Sequence, residues 1–359
     1  LKKSTIVTVL IIILIGIMIT DFNLAGSNVF ELFFRRLETN TFNENTVSFN
    51  NETNTSHKSS IDRELIIERE GRNKFILNNN LGSIKINGEE REDIDIKATI
   101  TIYSNKQDIA ESYAKKAEIT TLKKNNSIEV KVPVENKPEE VKGVKVDYII
   151  SAPKSMYLEL NNKFGLLEVS NFNNGVDLSN RYQESIIRNI GGEEITITNK
   201  FGNLKLSEIS QGKEMQVTAA YNRTSVENIE RDMKINASYG DISFYNIKGL
   251  ILDSKYTNVE IDKINGKLNS DIEFGNIVVN NVIDDTKIDG RYADVTVELD
   301  RELKNYEIDG ETRYGDIRVN FGGSSVQEDN KKEFNYQQGN GEKKIILSTS
   351  YADLNIQHK

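Results

Sequence analysis

The sequence predicts an all-β chain: a β-solenoid of about ten to eleven two-strand coils, with an irregular capping module containing one helix, behind an N-terminal transmembrane segment. Three observations predict it. An aromatic returns at a nearly fixed interval at Phe164, Tyr182, Phe201, Tyr221, Tyr239, Tyr256, Phe274 and Tyr292, then after two longer gaps at Tyr314 and Tyr351. Apolar pairs keep their offsets from it: six and four before (Leu158/Leu160, Ile195/Ile197, Met233/Ile235), three and five after (Leu204/Leu206, Ile242/Phe244, Val295/Val297). Glycine follows the aromatic at Gly165, Gly202, Gly240, Gly275 and Gly315. A fixed period of this size signals stacked repeats. A spacing of two within each pair means a strand with one face buried, where a helix would need three and four.

Each copy therefore reads as two short strands joined at an aromatic corner. The glycine supplies a backbone that tolerates positive φ. Asn or Asp next to it, as at Asn203, Asp241, Asn258, Asn276, Asp294, Asp316 and Asp353, suits a turn through side-chain bonding to nearby backbone. One copy cannot bury its apolar face, whereas stacked copies can. With strands about 4.8 Å apart, ten coils make a rod roughly 45 Å long, its aromatics forming an internal ladder. A large sandwich of meandering strands is the rival fold; persistence of the offsets favours the solenoid.

Taken in order, residues 1–25 read as a membrane segment: Lys2 and Lys3 precede an apolar run from Thr5 to Thr20. The leading lysines place the N-terminus inside and the remainder outside. An uncleaved anchor is favoured over a secretory signal, for which Leu24-Ala25-Gly26-Ser27 is a weak cleavage site. Residues 26–61 read as a membrane-proximal segment and a flexible Asn/Thr/Ser-rich linker that includes His57. Residues 62–152 begin with a first coil, with Phe75, Leu77, Leu81-Gly82, Ile84 and Ile86 at the repeat offsets. An irregular cap follows: alternation over Ile94–Ile102, a helix over Asp108–Leu122, and strands around Val130 and Val146. Residues 153–359 carry the regular coils, interrupted by a polar surface loop over 322–344. Residues 345–357 close the chain as the final coil, with His358 at a frayed end.

Composition narrows the function. Cysteine is absent, which removes disulfides, a thiol nucleophile and thiolate zinc sites. A formal charge of -9 argues against nucleic acid, whose phosphates need a basic surface. There is no tryptophan, and no phosphate-cradling glycine loop, serine-nucleophile elbow or metal-binding histidine pair.

The Gly-Ser-Ile-Lys-Ile-Asn-Gly stretch at 82–88, the Val-Asp-Tyr-Ile-Ile-Ser-Ala-Pro stretch at 146–153 and the recurring aromatic-Gly-Asp/Asn-Ile-x-Val resemble the bacterial putative-adhesin family of unknown function. The resemblance covers roughly 62–357. It implies a β-strand-repeat domain behind a membrane segment on an exported protein, and carries over no catalytic residue.

Two outward rows offer candidate chemistry. Three before the aromatic stand Asp253, Asp271, Asp289 and Glu311; one before it stand Lys255, Glu273, Arg291 and Arg313. Only Asp271 lacks a basic neighbour two residues on. The Asp271/Glu273 pair belongs either to a solvated salt-bridged face or, less often, to a cation or acid–base site. The corner row of Asn258, Asn276, Asp294 and Asp316 suits turn chemistry first and calcium second. Asn276, Asp294, Asp316, Asp271 and Glu273 are thus the weak metal candidates, and calcium the one cofactor considered. Tyr245 and Tyr306 offer exposed rings on which nothing converges in sequence.

The expectation is a non-enzymatic, adhesin-like or structural module at the cell envelope, contacting a wall polymer or surface protein. A polysaccharide lyase or glycosidase is the alternative. A self-assembling scaffold is another, through the exposed edge of the last coil, Ile345–Ile356.

Overall fold

The computed structural model describes residues 57–133, 137–301 and 303–358. The predicted segment at 1–25, and residues 26–56 of the predicted linker region at 26–61, lie outside them. Among the described residues no helix is long and apolar enough to cross a membrane.

Alternating apolar residues form strands from the start. The N-terminal region contains β1 (His57–Glu68), β2 (Lys74–Leu81), β3 (Ile84–Glu89), β4 (Asp93–Ser104), helix α1 (Gln107–Lys116), β5 (Thr120–Lys124), β6 (Ser127–Lys131) and β7 (Val141–Pro153). β2 and β3 are the first coil, meeting at Leu81-Gly82. β6 lies parallel on β2, with β5 antiparallel beyond it. β7 lies parallel on β3, followed by antiparallel β4 and β1. The switch from parallel to antiparallel pairing ends the coil stack here. Ile94, Ile96, Ile100, Ile102, Tyr148 and Ile150 fill the space beneath it. α1 packs against β1 and β4, with Ala110 and Ala114 buried. Arg63 donates to the Lys115 and Ala117 carbonyls at 2.9 Å each, occupying carbonyls the helix end leaves over.

Two boundaries differ from the sequence reading. The linker does not extend to residue 61, because β1 pairs with β4 from His57 onward. The helix ends at Lys116 rather than Leu122: Ala117 is already extended, and 120–124 pair with β6 instead.

The regular region runs through β8 (Tyr157–Phe164), β9 (Leu167–Phe172), β10 (Val176–Arg181), β11 (Ser185–Ile190), β12 (Ile195–Lys200), β13 (Leu204–Ile209) and β14 (Met215–Ala220). It continues through β15 (Arg223–Ile261), β16 (Leu268–Glu273), β17 (Ile277–Val282), β18 (Thr286–Arg291) and β19 (Val295–Leu299). β15 passes unbroken through several corners. Strands before the corner stack parallel in register on one another, as do strands after it. Among the described residues the fold is all-β with one helix, solenoid-like in its stacking. The inward pairs are buried almost completely, from Leu158 and Leu160 to Val295 and Val297.

The corner works differently from the expectation. From Tyr182 to Tyr351 it is the aromatic that holds positive φ, between 52 and 65°. The following glycine does not. Its role is close approach: a Cβ on Gly240 would sit 1.8 Å from the Asn222 carbonyl oxygen of the coil beneath. Glycine alternates with larger residues along this row, Gly202, Asn222, Gly240, Thr257, Gly275. Each glycine makes room for its neighbour's carbonyl. Inside the corner, buried Asn162, Asn180 and Asn199 donate to carbonyls of their own turns, at Gly165, Gln183 and Gly202. Arg231, fully buried, donates to the carbonyls of Ser210 (2.7 Å), Gly192 (2.9 Å), Gln211 (2.9 Å) and Lys213 (3.3 Å), which ties three turns together. Burial pulls its pKa below the usual arginine range.

The C-terminal region comprises β20 (Tyr306–Arg313), β21 (Ile317–Val319), β22 (Ser324–Glu328), β23 (Lys331–Gln338), β24 (Lys343–Ser350) and β25 (Leu354–His358). Here chain order and stacking order part company. β24 lies between β18 and β20, and β25 between β19 and β21. The last coil in sequence is therefore next to last in space. The 322–344 stretch is not a surface loop: β22 and β23 form a hairpin whose β23 runs antiparallel along the outer edge of β20. Phe334 is buried, with the Phe321 ring edge-on to it. His358 is held, its amide donating to Asn320 Oδ1 at 2.8 Å.

Candidate functional site

The ring ladder is continuous but not internal. Phe164, Tyr182, Phe201, Tyr221, Tyr239, Tyr256, Phe274, Tyr292, Tyr351 and Tyr314 stack in that order, with centroids 4.7 to 5.2 Å apart and planes within 12°. Tyr256, Tyr292, Tyr314 and Tyr351 are about half exposed. From Tyr182 to Tyr351, positive φ at the corner swings the ring outside the apolar core. The rings cover one another's faces, so the strip offers ring edges and phenol groups to solvent.

The corner row sits beside the ladder. Asp353 N–H donates to Asp294 Oδ1 at 2.8 Å, and Asp316 N–H to Asp353 Oδ1 at 2.9 Å. Asp294 N–H donates to Asn276 Oδ1 at 3.4 Å, and Asn258 Nδ2 to Asp241 Oδ1 at 3.1 Å. These side chains bridge one turn to the next. Among the described residues no group of three or more His, Asp or Glu is arranged to hold a metal ion.

Glu273 is not the uncompensated acid that reading one coil at a time suggested. Lys255 from the coil before reaches it at 2.9 Å and Arg291 from the coil after at 3.5 Å. The Lys255 hydrogen bond leads in holding its carboxyl below the usual range. Asp271 stands in register with Asp253 and Asp289. Tyr306 is buried rather than exposed, and burial pushes its phenol up to about 12.

A different group of residues converges. Where the cap meets the rod, Tyr157, Glu159, Asp177, Glu194, Lys74 and Asn126 help line a cavity of about 470 Å³. β8 and β10 place Glu159 and Asp177 side by side in register. Glu194 enters just before β12, and β2 brings Lys74 from far away in sequence. Lys74 Nζ lies 2.6 Å from Glu159 and 5.4 Å from the Tyr157 ring centre. Partial burial, with the charges of Glu159 and Glu194, raises Asp177 above the usual carboxylate range. Burial and the same acidic neighbourhood push the Tyr157 phenol up to about 12. One carboxylate here is neutralised by a lysine and another resists ionisation. That trough can hold a polar ligand through acceptors and amides. The signal was present in sequence: five before the aromatic, Glu159 and Asp177 stand on adjacent coils. The other side of the trough comes from Lys74 on the first coil and Asn126 in the irregular cap, between β5 and β6.

The family model described as Toastrack DUF4097 matches residues 73–357. No curated protein matches the chain. Among solved structures, it is similar to a "putative cell adhesion protein" from Clostridium sporogenes, with 16% identity, 84% of this chain and 100% of that chain covered, and a TM-score of 0.21. It is also similar to a "putative adhesin" from Bacteroides fragilis (10% identity, 83% and 97% covered, TM-score 0.32). A third is a "putative lipid binding protein" from Parabacteroides distasonis (10% identity, 83% and 96% covered, TM-score 0.29).

Proposed function

Since the chain belongs to the Toastrack DUF4097 family, we propose that it is a non-enzymatic, adhesin-like module of the cell envelope. The segment at 1–25 holds it to the membrane, and the coil stack contacts an extended partner outside. One observation carries this reading: most of the outward chemistry repeats at strand spacing instead of converging. The strip of ten stacked rings is its clearest case. An extended, repeating surface suits a polymer or a long partner face better than it suits a single small substrate. Self-assembly through Ile345–Ile356 is not part of the proposal, because both edges of that coil are already paired.

The test is capture of envelope polymers and surface proteins by the full chain in detergent micelles, with turnover assayed in parallel. Saturable capture without turnover supports the reading. Turnover of a polysaccharide, lost in Asp177→Asn, would replace it with an acid–base enzyme working in the trough. Protease accessibility of the coil stack in intact cells tests the outward orientation.

A further inference from the structure

At the Tyr256 coil the stack departs from its pattern and opens a second cavity, away from the trough. Seven residues after the corner aromatic a second corner turns, also through positive φ, at Asn171, Asn189, Glu208, Asn228, Asn246 and Asn281. Lys263 occupies this place in the Tyr256 coil and is not among the positive-φ residues. The strand there stops at Ile261, and only an isolated bridge joins Ile247 to Ile264. The asparagine row closes over the break by a detour, Asn265 Nδ2 donating to Asn246 Oδ1 at 3.0 Å.

The result is a notch of about 270 Å³ lined by Tyr245, Asp262, Lys263, Ile264, Asn265, Asn281, Ile283 and Asp300. Tyr245 is 50% exposed and Ile283 37%. Unlike the ladder rings, Tyr245 has no ring partner among the described residues, so no other ring covers its face. The volume lies just under the smallest usual ligand pockets, about 300 Å³. It therefore suits one small ring unit. A flat aromatic beside an aliphatic side chain matches an apolar C–H face. Carboxylates and amides at the rim match a ring of hydroxyls, accepting from and donating to them. Lys263 offsets only one of the two carboxylates, Asp262 and Asp300, and the remaining negative charge disfavours an anionic ligand.

We propose that the Tyr245 notch binds one neutral pyranose unit of an envelope polysaccharide. This rests on the reading of the chain as a surface-binding module and names the ligand class for it. The ring of Tyr245 stacks on the sugar face, and Asp262, Asn265 and Asn281 fix its hydroxyls.

The experiment titrates the full chain in detergent micelles with tetramers of N-acetylglucosamine, glucose and galactose, alongside the envelope-capture assay. Tyr245→Ala and Tyr245→Phe are compared with the unaltered chain. Because the side chain is half exposed, both variants are expected to fold, which circular dichroism checks. The expected result is binding of at least one tetramer, weakened at least about tenfold in Tyr245→Ala and retained within roughly threefold in Tyr245→Phe, which keeps the ring. Equal binding by Tyr245→Ala overturns the notch as the site. Capture of envelope material with no binding of any neutral tetramer also overturns it and leaves the surface-binding reading standing. No capture of any kind removes that reading, and the notch with it.

Discussion

The coils between Phe164 and Tyr292 and the coils at the C-terminal end are built from the same parts, yet assembled differently. In the first region each coil lies on the one before it in sequence. In the second, the chain leaves a gap after β19, builds the outermost coil and its hairpin, and returns to fill the gap with β24 and β25. The ring ladder passes through the inserted coil without a break, at 4.9 Å from Tyr292 and 4.8 Å to Tyr314. Stacking is thus decided by complementarity of neighbouring corners and not by order along the chain. At this end Ala293 and Ala352 are succeeded by Gly315, whose Cβ would meet the Ala352 carbonyl oxygen at 1.9 Å. The glycine belongs on the outermost coil, over the alanine.

Removing residues 339–359 breaks the comparison most severely. It deletes the inserted coil and leaves β18 and β19 facing a gap. Amides of 306–338 are expected to lose hydrogen-exchange protection while those of 176–282 keep theirs, since each coil depends mainly on its neighbours. Uniform loss along the rod would show that the two regions unfold as one unit.

Arg231→Met tests the regular region alone. It removes the donor shared by the Ser210, Gln211 and Gly192 carbonyls and a guanidinium that is itself buried, which should cost on the order of 3 kcal/mol, read as a shift in urea midpoint. The C-terminal amides should be spared.

Gly240→Ala and Ala352→Gly compare the two kinds of corner directly. The first forces a methyl into a carbonyl and should destabilise by about 2 kcal/mol. The second removes a methyl at the alternating position and should cost under about 1 kcal/mol. Equal effects would contradict the alternation. Tyr351→Ala interrupts the ladder at the inserted coil and Tyr239→Ala within the regular coils. Each loses two stacking contacts, so the two should match at roughly 1 to 3 kcal/mol.

The smallest effect is in pH. Asp177 is raised in the folded state, so it favours folding below its unfolded pKa and loses that contribution as pH rises through its folded value. Asp147 runs the other way. Burial raises it, but Lys145 and the Ser83 amide and hydroxyl outweigh burial and hold it low. Its contribution is present above its unfolded pKa and is lost as pH falls through the folded value. Asp177→Asn should therefore flatten stability on the acid side of neutrality, and Asp147→Asn should remove part of the acid-induced loss.

The apolar pairs around Leu158, Ile195 and Val295 made the strands and their stacking legible, because spacing of two and a fixed period leave few alternatives. The position of the last coil was not legible: Ile345, Leu347, Leu354 and Ile356 fit any gap in the stack equally well. The hairpin over 324–338 was hidden by polar composition, with Phe334 and Tyr336 its main apolar anchors. Tyr157, Asp177 and Glu194 were not legible as a group because the trough also needs Lys74 from the first coil and Asn126 from the cap, both distant in sequence. At the corner, the aromatic–glycine pattern was read correctly as a turn and wrongly as a positive-φ glycine; the sequence shows that a residue must be small, not why.

The order of the coils can be tested without ambiguity, because the chain contains no cysteine. Asp289 and Glu311 are both register partners of Ser348, on opposite sides of it. Adjacent strands lie about 4.8 Å apart, within the Cα separation a disulfide spans; two strand spacings exceed its limit of about 7 Å. Mild oxidation of Asp289→Cys/Ser348→Cys should give a disulfide in high yield, and Asp289→Cys/Glu311→Cys should stay reduced. A disulfide in the second pair and none in the first would place Tyr314 directly on Tyr292 and contradict the inserted coil.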